Sequence, residues 1–257
     1  MAPSVLAFTT SCSWFFPSSW LFSSQGLAIA APKGDEKPLK LDGIKGTDDR
    51  ILVDRVVPPW SSFGRVNRSI GGFCTGTVIS PRRVLTAAHC FWNHRIRNWL
   101  PPISLHFLSG YQRGEFIVHA RVAGFRVSPQ YNPDKFAEAN ISADWAILEL
   151  DINVADLVGA ISINRLYQGR TISQAEYSQD KLHILTLNKS CLIIRRLLEP
   201  GLMFHDCDAV KGDSGAPLLA QIDGQHQIIG IHVATQKQGS PALGVTISVG
   251  NVTEFDP

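Results

Sequence analysis

From residue 51 onward the chain consists of short apolar runs separated by Gly, Pro, Asn and Ser. Runs of five to eight residues suit β-strands, because a helix in a globular core normally needs about ten or more residues. The pattern predicts an all-β domain or a pair of such domains. A helix is favoured at 87–92, whereas 191–198 fits either a helix or a strand. The strand-like runs are 76–80, 116–123, 145–150, 182–187, 228–233 and 244–249.

Length and charge narrow the classes of protein. The chain has 257 residues, 44% of them hydrophobic, and a formal net charge of +2 from 24 basic and 22 acidic side chains. This length and this hydrophobic content are enough for one large core or two small ones. Because the basic residues form no long run, neither nucleic acid nor an anionic membrane is an expected partner.

Two separate motifs contain a hydroxyl and an imidazole that could act together. Residues 211–217 read KGDSGAP, and residues 86–90 read TAAHC. A hydroxyl is a poor nucleophile, so a serine enzyme needs an imidazole to take the proton and N–H groups to hold the oxyanion. Gly212 suits the second need, because a residue without Cβ lets successive N–H groups point at one spot. The motifs therefore predict Ser214 as a nucleophile and His89 as its base.

An acidic residue completes the set where a polar loop meets an apolar strand. Residues 142–150 read SADWAILEL, so Asp144 directly precedes the apolar run. A buried carboxylate beside the histidine would hold its tautomer. The order His89, Asp144, Ser214 and the three sequence contexts resemble the trypsin and chymotrypsin family of serine proteases, in its bacterial trypsin-like and glutamyl-endopeptidase-like branches. The resemblance extends over residues 51–249.

This resemblance implies a fold and a mechanism. The implied fold is two packed antiparallel β-barrels, with His89 and Asp144 in residues 51–155, Ser214 in residues 156–257, and the catalytic cleft between them. Ser214 would attack the scissile carbonyl, His89 would accept and return the proton, and Asp144 would orient the imidazole. The N–H groups of Gly212 and Ser214 would form the oxyanion hole. Protein or peptide substrates are the implied partners, and we expect a monomer.

Two other functional classes fit the sequence less well than a protease. A non-catalytic protease homologue acting as a binding module typically loses the serine or the histidine, and this chain keeps both. An α/β-hydrolase esterase needs Gly-x-Ser-x-Gly with the histidine last. Here Ala216 replaces the second glycine and His89 comes first, so the esterase does not fit.

The cysteines favour an oxidising compartment. Cys12 would leave with a signal peptide, and four cysteines remain, an even number that suits two disulfides. The resemblance implies a bridge between Cys74 and Cys90 beside the histidine. That leaves Cys191 to pair with Cys207, which differs from the usual trypsin bridges. The absence of CxxC spacing and the scattered histidines argue against a metal site, and nothing requires another cofactor.

The first 50 residues are interpreted as processing segments. Residues 1–30 contain an apolar stretch and an Ala-x-Ala site, typical of a secretory signal peptide, although they lack Lys and Arg. A misassigned start or a disordered leader is the alternative. The apolar stretch is interrupted by Pro17 and serines, so a membrane anchor is not expected. Polar residues 31–50 predict a pro-segment or flexible leader. The mature protein is expected to be secreted or periplasmic.

An Arg-Ile junction precedes the first predicted barrel. In the resembled family, cleavage at such a junction frees an amine that pairs with the acid preceding the nucleophile, here Asp213. The match is partial, because Val53 and Asp54 stand where the family has two glycines. Two hypotheses therefore remain: activation by cleavage between Arg50 and Ile51, or an incidental arginine in a surface loop.

One set of residues predicts a pocket for a basic substrate side chain. By resemblance, Asp208 occupies the position of the carboxylate that binds Arg or Lys of the substrate. Gly244 matches a glycine that keeps this pocket open. These two residues favour cleavage after Arg or Lys.

Another set points to Glu. His232, followed by Val233, resembles the histidine with which glutamyl endopeptidases bind the Glu side chain. Ala209 lacks the hydroxyl that those enzymes place there, and Thr235 stands where an open pocket would prefer glycine. Cleavage after Arg or Lys is the expectation, with cleavage after Glu as the alternative.

Overall fold

The computed structural model describes residues 43–135, 138–236 and 243–252. The predicted signal peptide and most of the predicted leader, residues 31–42, lie outside these residues. The paired strands in the described part are antiparallel. They are β1 (Ile51–Leu52), β2 (Phe63–Arg68), β3 (Phe73–Ser80), β4 (Arg83–Thr86), β5 (Trp92–Asn93), β6 (Asn98–Trp99), β7 (Leu105–Ser109), β8 (Val118–Val127), β9 (Ala146–Leu150), β10 (Thr171–Glu176), β11 (Thr186–Leu197), β12 (Leu202–His205), β13 (Pro217–Ile222), β14 (Gln225–Gln236) and β15 (Leu243–Ser248).

Helices in the described residues are all short. Two α-helices, α1 (Glu138–Ile141) and α2 (Ala155–Val158), and 310 turns at Trp60–Ser62, Ala88–Phe91, Pro102–Ser104 and Val249–Asn251 connect the strands. None of the helices in this part of the chain has the length and apolar character needed to cross a membrane. The helix expected at 87–92 is thus a single 310 turn.

The first barrel closes in the order β2-β3-β4-β9-β8-β7. Alternation along β8 shows why these residues form strands: Val118, Ala120 and Val122 are buried, whereas His119 and Arg121 between them are exposed. A period of two sends alternate side chains to opposite faces of the sheet. The inward set forms the barrel core.

The second barrel consists of β10, β11, β12, β15, β14 and β13, and the pairing of β11 with β12 closes it. The two-barrel fold expected from the resemblance is therefore confirmed. Strand β1 differs from the expected division, because Ile51 pairs with Leu187 of β11 and extends the second barrel's sheet. The described chain therefore passes along the second barrel at β1 before it enters the first.

The segment that fitted either a helix or a strand is part of β11. Cys191 and Ile193 are buried, while Leu192 and Ile194 are exposed, which is the period of a strand. The strand expected at 182–187 begins only at Thr186. Pairing in the barrel, which sequence periodicity does not report, decides both outcomes.

Candidate active site

Pairing of β4 with β9 places a histidine beside an aspartate. Thr86 lies opposite Ala146 in this register, so the residues just after β4 face those just before β9. The 310 turn Ala88–Phe91 carries His89 there, and Asp144 precedes β9. The His89 N–H donates to Asp144 Oδ1 at 2.8 Å, which fixes the turn against the loop.

The His89 imidazole links the aspartate to the serine. Its Nδ1 lies 2.6 Å from Asp144 Oδ2, and its Nε2 lies 2.7 Å from Ser214 Oγ. The imidazole side chain is 30% exposed and that of Asp144 is 9% exposed. Burial alone would lower the pKa of His89, but the adjacent carboxylate of Asp144 outweighs burial and raises this pKa above its usual value. The three predicted residues thus form one connected hydrogen-bonded set.

Gly215 allows the loop of the second barrel to reach the first barrel. The Thr75 N–H donates to the Ser214 carbonyl at 2.9 Å, and the Gly215 N–H donates to the His232 carbonyl at 2.8 Å. Gly215 has φ of +82°, and a Cβ there would lie 2.2 Å from Thr86 Oγ1 and 2.3 Å from the Thr75 carbonyl oxygen. Only glycine fits this backbone conformation and this close approach.

Gly212 has a comparable constraint on the other side of the serine. Its φ is +103°, and a Cβ would lie 2.8 Å from the Tyr177 carbonyl oxygen and 2.9 Å from the Gln179 nitrogen. Within the described residues, the N–H groups of Gly212 and Ser214 have no hydrogen-bond acceptor. These are the two N–H groups expected to hold an oxyanion.

Asp213, between them, is fully buried. Its Oδ1 accepts a hydrogen bond from Ser178 Oγ at 2.5 Å, and its Oδ2 accepts one from the Val210 N–H at 2.7 Å. Burial raises the pKa of Asp213 to about 7, while Ser178, Val210 and the charge of Arg50 oppose the rise. The partners of Asp213 in the structure are therefore a hydroxyl and a main-chain N–H.

Both disulfides expected from the sequence are present. Cys74 and Cys90 join β3 to the turn that carries His89, and Cys191 and Cys207 join β11 to the loop that leads to the serine. Of the described residues, Cys74, His89 and Cys90 form the one cluster with metal-ligand atoms close together. Because both sulfurs are in a disulfide, they do not supply thiolate ligands.

Asp208 is buried and already has partners. Its Oδ1 accepts the Lys45 N–H at 2.6 Å, and its own N–H donates to Asn188 Oδ1 at 3.1 Å. The Lys45 ammonium donates to the Cys207 carbonyl oxygen. Burial raises the pKa of Asp208, and Lys45 opposes that rise. Lys45 falls in the segment interpreted as a leader, so sequence reasoning missed its contact with this pocket residue.

His232 is backed by a second histidine that the sequence motifs did not single out. His205 Nε2 lies 3.1 Å from His232 Nδ1, and both side chains are buried. Gly244 pairs with His205 across β12 and β15, and a Cβ at Gly244 would lie 2.2 Å from the His205 ring. Burial, together with the charge of Lys45, lowers the pKa of His232 to about 3, so the ring is neutral.

The other predicted pocket residues lie around this pair. The Ala209 N–H donates to the Gly43 carbonyl at 3.0 Å. Ala209 and Val233 are buried, and Thr235 is half-buried. Thr235 pairs with Gly244 across β14 and β15. Strand pairing therefore connects Thr235, through Gly244, to His205 beside His232.

Comparisons with known proteins agree with the two-barrel fold. The family model for trypsin matches residues 54–255. Among curated relatives, the human transmembrane protease serine 5 is 26% identical, over 74% of this chain and 47% of its own length. A glutamyl endopeptidase from Bacillus licheniformis is 24% identical, over 72% of this chain and 57% of its own. The CLIP domain-containing serine protease B4 of Anopheles gambiae is 28% identical, over 79% and 69%.

Similarity also extends to solved structures. A Glu endopeptidase in complex with MPD aligns with a TM-score of 0.69 and 26% identity, covering 81% of this chain and 95% of that one. The chain spans about half the length of the first two curated relatives, 47% and 57%. The family match covers most of the described residues and both barrels. The chain belongs to the trypsin family.

Proposed function

We propose that the protein is a serine endopeptidase that hydrolyses peptide bonds through an acyl-enzyme on Ser214. The continuous hydrogen-bonded set from Asp144 through His89 to Ser214 carries this proposal. Its two contacts, 2.6 Å and 2.7 Å, are within the reach required of an orienting acid, a general base and a nucleophile.

The proposed mechanism follows the proton of the Ser214 hydroxyl. Ser214 Oγ attacks the scissile carbonyl carbon while its proton moves to His89 Nε2. Asp144 stabilises the imidazolium by accepting the hydrogen bond from its Nδ1–H. The tetrahedral intermediate collapses when His89 gives the proton to the leaving amine, and the C–N bond breaks. Water then repeats the sequence, releasing the acid and restoring the Ser214 hydroxyl.

We propose that two main-chain N–H groups hold the oxyanion. The N–H groups of Gly212 and Ser214 make no hydrogen bond within the described chain, so they are available to a substrate oxygen. Donors held in place before reaction stabilise the developing charge without reorganisation, and each is worth about 10²–10³ in kcat.

For specificity, we propose a preference for Glu on the acyl side of the cleaved bond. The carboxylate expected to attract Arg or Lys, Asp208, is engaged by the Lys45 main chain and lies near the Lys45 ammonium. A second cation entering the pocket would face that ammonium. By contrast, a substrate carboxylate would be attracted to the Lys45 ammonium, because opposite charges attract each other strongly in a partly buried site.

His232 supplies a directional donor for the same carboxylate. If His205 Nε2–H donates to His232 Nδ1, the neutral His232 ring carries its proton on Nε2. That Nε2 has no partner within the described residues. A neutral histidine can thus donate one hydrogen bond to an acidic substrate side chain without titrating.

Cleavage after Arg or Lys, which the sequence favoured, is the second candidate here, and one observation supports it. Asp208 Oδ2 is buried without a hydrogen-bond partner among the described residues. Such an oxygen is costly unless a ligand satisfies it. A guanidinium or ammonium from the substrate could do so if Lys45 moved away.

A matched peptide series tests both candidates. Peptides that differ only in Glu, Gln, Arg, Lys or Phe before the cleaved bond are compared by kcat/KM, with Ser214→Ala as the blank. We expect Glu to exceed Gln by at least about tenfold, since the charge is the difference recognised. Faster cleavage after Arg or Lys would refute the Glu preference, but the proposed endopeptidase activity would still stand. No turnover above Ser214→Ala for any peptide would favour the binding-module alternative.

We also propose that the protein is exported, to the periplasm or outside the cell. The two disulfides support this location, because such bonds persist mainly in oxidising compartments. The expected signal peptide, residues 1–30, is tested by sequencing the N-terminus of the exported protein. A start at Ala31 is expected, and retention of residues 1–30 in the mature protein would count against export by this route.

A further inference from the structure

Arg50 is a buried charge in the middle of a polar network. Its side chain is 0% exposed. Nε lies 2.9 Å from Asp48 Oδ1, and Nη2 lies 2.5 Å from Asp180 Oδ2. A buried guanidinium persists only when it is paired, and these two carboxylates provide the pairing.

The third guanidinium nitrogen, Nη1, donates both to Asp180 Oδ1, at 3.3 Å, and to a serine beside the loop of the nucleophile. Arg50 Nη1 donates to Ser178 Oγ at 3.0 Å, and Ser178 Oγ donates to Asp213 Oδ1 at 2.5 Å. A hydroxyl can accept one bond and donate another. The positive charge therefore reaches Asp213 through a single intervening side chain.

The same segment supports the loop on its other side. The Gln179 N–H donates to the Lys211 carbonyl at 2.6 Å, and the Tyr177 carbonyl packs against Gly212, where a Cβ would lie at 2.8 Å. Asp213 thus joins a loop held from both directions. Its two neighbours in sequence provide the proposed oxyanion donors.

We propose that Arg50 is a positioning residue for residues 212–214, here called the oxyanion loop. In the uncleaved chain its guanidinium, acting through Ser178, holds Asp213 and makes cleavage after Arg50 unnecessary for activity. This inference rests on the proposed serine endopeptidase function.

Electrostatics and accessibility both support this assignment. Asp213 and Glu176 are both fully buried, and burial is the main cause that raises the pKa of each carboxyl group. The positive charge of Arg50 opposes this rise at both residues, so it favours their negative form. The Arg50 side chain is enclosed, and the main chain just after it is paired in β1 with β11. An activating protease would have to extract this side chain before it could cleave.

The first measurement identifies which form of the chain is active. The wild-type full chain is labelled with an active-site-directed phosphonate, and the intact labelled protein is weighed by mass spectrometry. We expect the labelled chain to retain the bond between Arg50 and Ile51. A labelled population that begins only at Ile51 would overturn the inference and support activation by cleavage.

The second measurement separates positioning from folding. Arg50→Gln and Ser178→Ala are compared with a control, Arg55→Gln. The control changes an arginine close to Arg50 in the sequence and removes its ion pair with Glu115. We expect each of the first two to lower kcat at least about tenfold while KM changes less than about threefold, because the lost interaction acts on the transition state. Arg50→Lys should recover part of the loss. Ser178→Ala keeps the Arg50 ion pairs, so it serves even if Arg50→Gln does not fold.

The outcomes distinguish this inference from the proposed function. Wild-type kcat in both Arg50→Gln and Ser178→Ala, with an active wild type, would overturn the positioning role alone. A wild-type chain no more active than Ser214→Ala would overturn the proposed function and the positioning role together.

Discussion

Replacing Gly215 by Ala tests whether the close approach of the two barrels determines the position of the nucleophile. In the structure a Cβ at this residue would meet Thr86 Oγ1 at 2.2 Å, the Thr75 carbonyl oxygen at 2.3 Å and the Ala87 nitrogen at 3.0 Å. Two of these three atoms belong to the main chain of the first barrel, so the neighbours cannot turn away. Either the Ser214 loop moves or the strain is stored.

The expected cost has two parts. A residue with Cβ in the left-handed region costs about 1–2 kcal/mol, and an extra methyl group in a packed site costs about 1–3 kcal/mol. Together they lower the free energy of unfolding by about 2–5 kcal/mol. In a domain of about 200 residues each kcal/mol lowers Tm by about 2–4 °C, so Tm falls by about 4–20 °C.

Stability and activity are measured separately. Unfolding is followed in urea with Ser214→Ala as the parent, which prevents self-digestion, and kcat/KM is measured in the active parent. If the loop moves by about 1 Å, kcat/KM falls about 10²-fold. The matched control is Gly124→Ala, because a Cβ there has no neighbour within 4 Å and a change within about 0.5 kcal/mol is expected. Gly215→Ala with wild-type stability and kcat/KM within twofold would refute the reasoning.

Three further predictions concern the pocket, the base and a disulfide. Lys45→Ala removes the cation near Asp208, so the ratio of kcat/KM for Glu over Arg peptides should fall at least about tenfold; Lys189→Ala, on an exposed side chain, is the control, and an equal shift in both variants would contradict the role of Lys45. Because His89 must be neutral to accept the serine proton, kcat/KM should fall as pH drops through its raised pKa; Asp144→Asn should lower kcat by about 10⁴ and move this acid limb to lower pH, and an unmoved limb would assign it to another group. Replacing Cys191 and Cys207 together by Ala opens a link across 16 residues, which should lower the free energy of unfolding by about 3 kcal/mol in urea melts; no change in the midpoint would show that the bridge adds little.

Local patterns predicted several of the strands. The run at 228–233 lies within β14, and that at 76–80 lies within β3, because apolar side chains with a period of two suit a sheet with one buried face. Residues 191–198 fitted either a helix or a strand because both β-branched residues and Leu occur there. Pairing with β10 and β12 settled it in favour of a strand.

In the candidate site, too, local motifs predicted some residues, whereas contacts between distant segments could not be predicted. His89, Asp144 and Ser214 could be found because each lies in a distinctive local motif. Lys45 and Asp208, by contrast, are 163 residues apart, and no local pattern in either segment announces their contact. Segment 31–50 was interpreted as a leader because it is polar, although Lys45 and Arg50 within it reach the second barrel.

The sequence by itself predicted a candidate chemistry from a serine next to glycines, a histidine and an aspartate. Its short alternating apolar runs indicated β-strands, and the resemblance to a known family implied that these strands form two barrels. Tertiary structure alone decided what surrounds that chemistry. It placed Arg50 behind the oxyanion loop, Lys45 against Asp208, and His205 behind His232. The physical reason is that motifs and periodicity are local properties of the chain, whereas a buried charge acquires its partners only when distant segments pack together and exclude water from between them.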